Sequence, residues 1–170
     1  PRVKQAAVRS YGGNITFCEP TLAARQSTAE AIIRQTGATM IHPYDDERII
    51  AGQGTCGLEI MADHPHLDML VVAIGGGGLV SGISIAAKAI KPSIEVVGVE
   101  VLRFPSMYHA VRGTQAPFGV STIADGIAVK EPGKLTREII ARNVAEIRLV
   151  DEGDIEQAIV MLLEIEKTVV

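Results

Sequence analysis

The sequence is arranged about Leu70-Val71-Val72-Ala73-Ile74-Gly75-Gly76-Gly77-Gly78-Leu79-Val80-Ser81-Gly82. Its first five residues form an apolar run too short to span a membrane and rich in valine, the pattern of a buried strand. Four consecutive glycines follow, and a helix-forming segment follows them directly. Glycine, having no Cβ, suits backbone that bends sharply or lies close to another group. Successive free amides in such a turn, backed by a helix N-terminus, form an anion site suited to phosphate. The stretch predicts a phosphate cradle at the carboxyl end of a parallel strand.

The chain has 170 residues, enough for one domain, or one lobe with part of another. Hydrophobic residues make up 47% and charged residues 21%, which argues for a folded core and against disorder. With 16 Lys+Arg against 20 Asp+Glu the net charge is -4, and no basic cluster offsets it, so nucleic-acid binding is not expected. No apolar run reaches membrane-spanning length, and no signal-peptide pattern opens the chain. Cys18 and Cys56 have no metal-spaced partner and read as reduced thiols of a cytoplasmic protein. The chain begins at Pro1 and stops within an apolar run at Val169-Val170, so a piece of a longer protein is expected.

Working outward, helices are expected at 2–11, closed by Gly12, and from a Thr21 cap through Ala24, Ala29, Ile32 and Ile33 to Gly37. Short strands are expected at 15–18 and 39–41, which makes residues 1–43 a sublayer of their own. Asp45-Asp46 offers N-caps for a helix at 47–62, whose Gly52, Gly54 and Gly57 suggest close packing of that helix on the sheet. A strand at 67–74, the helix at 79–90 and a strand at 94–99 form a parallel βαβ crossover. A short helix at 104–111, a long loop at 114–129, a helix at 135–143 and a strand at 146–150 come next. Asp151 and Asp154 resemble a capping box opening a last helix at 155–169. The alternation argues for an α/β fold with an open, mostly parallel sheet and flanking helices, ligands binding beyond the carboxyl ends of its strands.

Two ligands compete for the glycines. Gly76, Gly78 and Gly82 approach a dinucleotide fingerprint, and Glu100 ends the next strand where a ribose-binding acid would sit. That reading makes the chain a nicotinamide-dinucleotide-binding domain. The other reading is a phosphate site of a different cofactor, or a non-catalytic module that keeps only that site. No lysine follows the glycines in a Walker arrangement, which disfavours a nucleoside triphosphate.

The segment Gly75 to Ile83 resembles the tetraglycine loop of fold-type II pyridoxal-phosphate enzymes, specifically the serine/threonine dehydratase and serine racemase family. The likeness extends, in family order, through Lys4-Gln5-Ala6-Ala7, His42-Pro43, Ile50-Ala51-Gly52-Gln53-Gly54-Thr55, Thr122-Ile123-Ala124-Asp125-Gly126 and Glu146-Ile147-Arg148-Leu149-Val150. It implies a fold like that of the tryptophan synthase β chain, with 1–43 from a small domain and 44–170 from the large, cofactor-binding one. It also implies that Gly75, Gly76, Gly77, Gly78 and Leu79 hold the phosphate of pyridoxal 5'-phosphate, and that Gly126 borders its ring. Arg25 corresponds to an arginine near the substrate entrance. Glu100 and the Phe104 carbonyl correspond to ligands of a divalent cation (Mg or Ca), with Ser106, a poorer ligand, where a second acid is expected.

The implied reaction is dehydration of L-threonine or L-serine to a 2-oxo acid and ammonia, with serine racemisation as the alternative. The implied parent is a homo-oligomer acting on a small amino acid. The family's Schiff-base lysine, in a Ser-Phe-Lys-like context, matches none of Lys4, Lys88, Lys91, Lys130, Lys134 and Lys167. No catalytic residue is therefore assigned within this chain, and the chain alone is expected to be inactive. His64, His66 and His109 have no partner at catalytic or metal spacing, and Lys88 and Lys91 are expected to be solvated.

Overall fold

The computed structural model describes residues 2–168, and the chain divides into two compact units, Pro1–Met40 and Ile41–Val170. In the first unit, α1 (Arg2–Ser10) and α2 (Leu22–Thr36) are joined by residues 11–21, which hold no helix or strand. Local chemistry sets the ends of α2. Thr21 Oγ1 accepts the Ala24 amide at 3.2 Å, and Gly37 at φ 70° closes the helix with its N–H on the Ile33 carbonyl. The strands expected at 15–18 and 39–41 do not form. A strand needs a neighbour to complete its ladder, and the described part of this unit offers these segments none.

The second unit supplies the core. Parallel strands β1 (Met69–Ala73), β2 (Glu95–Val101) and β3 (Glu146–Val150) lie in the order β1-β2-β3, with Val71 opposite Val97 and Val99 opposite Arg148. Around them are α3 (Glu47–Asp63), α4 (Gly78–Ile90), α5 (Ser106–Arg112), α6 (Lys134–Asn143) and α7 (Glu152–Glu164), with a 3-10 turn at Asp125–Ile127. Leu70 and Val72 of β1 share one core with Val80 and Ile83 of α4, Met107 of α5 and Ile140 of α6. The opposite face of β1, carrying Met69 and Val71, is open, and Val71 is 64% exposed.

The α3 glycines do bring backbones together, but the partner is a helix. A Cβ on Gly54 would lie 3.3 Å from the Gly82 carbonyl oxygen, and one on Gly57 would lie 3.0 Å from Ile83 Cα. A Cβ on Gly82 would collide with the Ile50 carbonyl, so α3 and α4 cross at backbone contact.

Other boundaries follow their caps. Asp46 caps α3, and its bidentate hydrogen bond to the Arg48 guanidinium holds its carboxyl at about 2. The Asp151–Asp154 capping box is present at α7. That helix ends at Glu164, before the expected limit, whose last residue, Val169, lies outside the described residues. Lys88 and Lys91 are not simply solvated. Lys88 Nζ donates to the Ile94 carbonyl at 2.8 Å, while Lys91 Nζ donates to the Leu67 carbonyl and pairs with Asp68 at 2.7 Å, tying the end of α4 to the residues that lead into β1 and β2.

Candidate functional site

The loop from Gly75 to Gly77 leaves the carboxyl end of β1 and enters the thirteen-residue helix α4 at Gly78. Gly77 is the N-cap, at φ 96°, with no side chain to cap the helix. No acceptor is present among the described residues for the amides of Gly75, Gly76, Gly77 or Gly78. Gly76, Gly77 and Gly78 are also buried. Buried backbone N–H groups are nearly always paired, so a run of orphans at a helix N-terminus marks a place for an anion.

The loop is held from two sides. On one side the Tyr44 ring packs directly against Gly76, where a Cβ would collide with it, and Tyr44 Oη donates to the Glu131 carbonyl at 2.7 Å. On the other side the Gly76 carbonyl accepts the Thr136 hydroxyl at 2.7 Å and the Gly133 amide at 3.3 Å. Asp45 caps α6 from across the fold, its carboxylate accepting the Lys134 amide at 3.0 Å and the Thr136 amide at 3.2 Å. Ser81, buried in the first turn of α4, points its hydroxyl toward the Thr136 carbonyl at 3.5 Å. It is no nucleophile here.

Of the residues singled out from sequence, the structure brings Gly75, Gly76, Gly77, Gly78 and Leu79 together with the turn that carries Gly126. A Cβ on Gly75 would lie 3.2 Å from Ile127 Cα, and the space beside Gly126 is open. Leu79 is 39% exposed at the mouth of the loop. Arg25 belongs to the first unit, on an exposed part of α2.

Glu100 and Phe104 form a separate feature at the end of β2. Glu100 is 1% exposed, and its carboxylate accepts the Met107 amide at 2.9 Å and the Tyr108 amide at 2.7 Å, capping α5. Burial pushes its carboxyl up to about 7, against the opposing pull of those two amides. The Phe104 carbonyl accepts the Ser106 amide at 2.9 Å, and the buried Ser106 hydroxyl lies on the Glu100 carboxyl, adding to the pull of the two amides. Among the described residues no three His, Cys, Asp or Glu side chains are grouped to hold a metal, so the geometry gives the implied cation no support. The same geometry corrects the dinucleotide reading. That reading needs Glu100 presented to a ribose, and here both its oxygens are engaged inside the protein.

Pyridoxal phosphate fits the remaining features. Its phosphate would take the amides of residues 75–78, which have no acceptor among the described residues. Sequence reasoning missed Thr136 and gave Asp45 to the wrong helix. Asp45 does precede a helix, which is what spacing shows, but its partners are 89 and 91 residues away. Thr136 carries no signal in the sequence.

The model of the family described as pyridoxal-phosphate dependent enzymes matches residues 1–170. The chain is 42% identical over 171 residues to an L-threonine ammonia-lyase of Thermotoga maritima, covering 99% of this chain and 43% of that protein. It is 37% identical over 174 residues to a serine racemase of Dictyostelium discoideum, covering 100% of this chain and 53% of that one. Among solved structures, maize serine racemase superposes with a TM-score of 0.91 at 34% identity, over 99% of this chain and 54% of that chain. The chain thus spans about half the length, or less, of these relatives. Parallel sheet, flanking helices and glycine loop agree with the match along the whole sequence, and the chain belongs to the pyridoxal-phosphate dependent enzyme family, fold-type II.

Proposed function

We propose that this chain is the phosphate-binding portion of a pyridoxal-phosphate dependent ammonia-lyase that converts L-threonine or L-serine to a 2-oxo acid and ammonia. The observation that carries the reading is the run of amides from Gly75 to Gly78, without an acceptor among the described residues, at the N-terminus of α4 beyond a parallel strand. On this reading Gly75 to Gly78 and Leu79 hold the phosphate, and Gly126 borders the ring. Arg25 would correspond to the small-domain arginine that the family carries at its substrate entrance. Residues 1–43 then belong to a small domain and 44–170 to a large one, in an oligomeric parent. The cofactor, once bound, supplies an electron sink for the substrate's α-carbon.

What this part of the enzyme contributes is anchoring. It fixes the phosphate end through backbone amides and the α4 dipole, so the ring is presented in one orientation. The proton at the α-carbon has to be moved by a lysine, and none of the six lysines here stands in the required context. The 170-residue chain alone is therefore expected to form no 2-oxobutanoate from L-threonine, even with cofactor added.

Racemisation of serine is the second reading, favoured by the match to two serine racemases. One assay on the full-length protein separates the two. The ammonia-lyase reading expects a visible absorption band bleached by borohydride and release of 2-oxobutanoate and ammonia from L-threonine. D-serine as the main product from L-serine would favour racemisation. A colourless protein that binds a nicotinamide cofactor would overturn both.

A further inference from the structure

We propose that Thr136 is a positioning residue for the glycine loop, and that Asp45 sets it in place by capping α6. The inference rests on the reading of residues 75–78 as a phosphate cradle. It begins with peptide geometry. In a trans peptide unit the C=O and the following N–H lie in one plane and point in opposite directions. The described chain has no cis peptide bond, so the Gly76 carbonyl and the Gly77 amide form such a pair.

The Thr136 hydroxyl holds the Gly76 carbonyl toward α6 at 2.7 Å, with the Gly133 amide as a second donor at 3.3 Å. The Gly77 amide is thereby turned away from α6. The same residue limits the loop by contact, because a Cβ on Gly77 would lie 2.8 Å from Thr136 Cβ and 2.8 Å from Met107 Cε. Four glycines in sequence have little conformational preference of their own. Something outside the loop has to choose one arrangement, and Thr136, fully buried, is the side chain that bonds to it.

Thr136 is itself placed by Asp45. Gly133 offers α6 no side-chain cap, and Asp45 takes over that role from 91 residues away, accepting the Thr136 amide. The neighbouring Tyr44 presses on Gly76 from the other side. Tyr44, Asp45 and Thr136 thus form one clamp, in which the hydroxyl sets the direction of an amide and the ring and cap keep the loop against it.

The test is binding of pyridoxal phosphate, and of pyridoxal lacking the phosphate, to the full-length protein and its variants by equilibrium dialysis. Thr136→Val keeps the shape and removes the hydroxyl. It is expected to weaken pyridoxal phosphate by about tenfold, with pyridoxal unchanged, and Thr136→Ser to restore the phosphate preference. Unchanged affinity in Thr136→Val overturns the inference, as does Thr136→Ser binding as weakly as the valine variant. If Thr136→Val does not fold, Asp45→Asn reads the same clamp from outside the buried site. A selective loss of the phosphate-bearing ligand supports the inference, and unchanged binding overturns it. A parent protein that binds both ligands equally overturns the cradle reading itself, a result distinct from the others.

Discussion

Two corners of this sheet are built to the same plan and finished differently. After β1 the chain turns through glycines into α4, and after β2 it turns through 102–105 into α5. Each helix begins with amides that no preceding turn can satisfy. At α5 the fold supplies the acceptor itself, since the buried Glu100 carboxyl takes the Met107 and Tyr108 amides. At α4 it supplies none among the described residues, and the glycine amides have no acceptor there. A cap built from the chain closes a helix start, whereas one left open is where the proposed cofactor would bind. The difference lies in one carboxylate and the loss of side chains around the other turn.

The comparison is broken most severely by filling the open corner. Gly77→Ala places a Cβ against Met107, Thr136 and Ile140 at a backbone angle that alanine resists. It is expected to destabilise the protein by about 3 kcal/mol or more and to abolish cofactor binding, as read by thermal unfolding and dialysis. Removing the internal acceptor comes next. Glu100→Ala leaves two amides unpaired at a buried helix start and is expected to lower stability by roughly 2–4 kcal/mol, with cofactor binding affected only through that loss.

The Glu100 corner also has a pH signature. Its carboxyl titrates at about 7 in the folded protein against an ordinary 4.5, so the folded state binds more protons between those values. Its contribution to stability is full below 4.5 and is lost as the pH rises to about 7, a span on the order of 3 kcal/mol. Thermal unfolding across that range should fall more steeply for the wild type than for Glu100→Gln. The smallest effect belongs to a cap far from either corner. Asp151→Ala removes one arm of the α7 capping box and is expected to cost about 1 kcal/mol without touching the cofactor.

What could be read from the sequence follows the range of the forces involved. The Asp151–Asp154 box, the Thr21 cap and the Gly37 stop are contacts within a turn, and all are visible as spacing. The β1 core face was legible because an apolar run before four glycines leaves few alternatives. The partner of Asp45 was not, since nothing local distinguishes capping α3 from capping α6, and neighbouring Asp46 takes the nearer role. The strands expected at 15–18 and 39–41 failed for a related reason. Their residues favour extended chain, but pairing is decided by what lies beside them. Among the described residues up to 40 none is buried, so local capping shapes that unit and burial shapes the second.

The central claim is that the α4 corner awaits an external phosphate while the α5 corner is already satisfied. Amide chemical shifts of the full-length protein, followed while pyridoxal phosphate or inorganic phosphate is added, test it most directly. The account predicts large shifts at Gly76, Gly77 and Gly78, with Met107 and Tyr108 nearly unmoved. Shifts at Met107 and Tyr108 with silent glycines would contradict it.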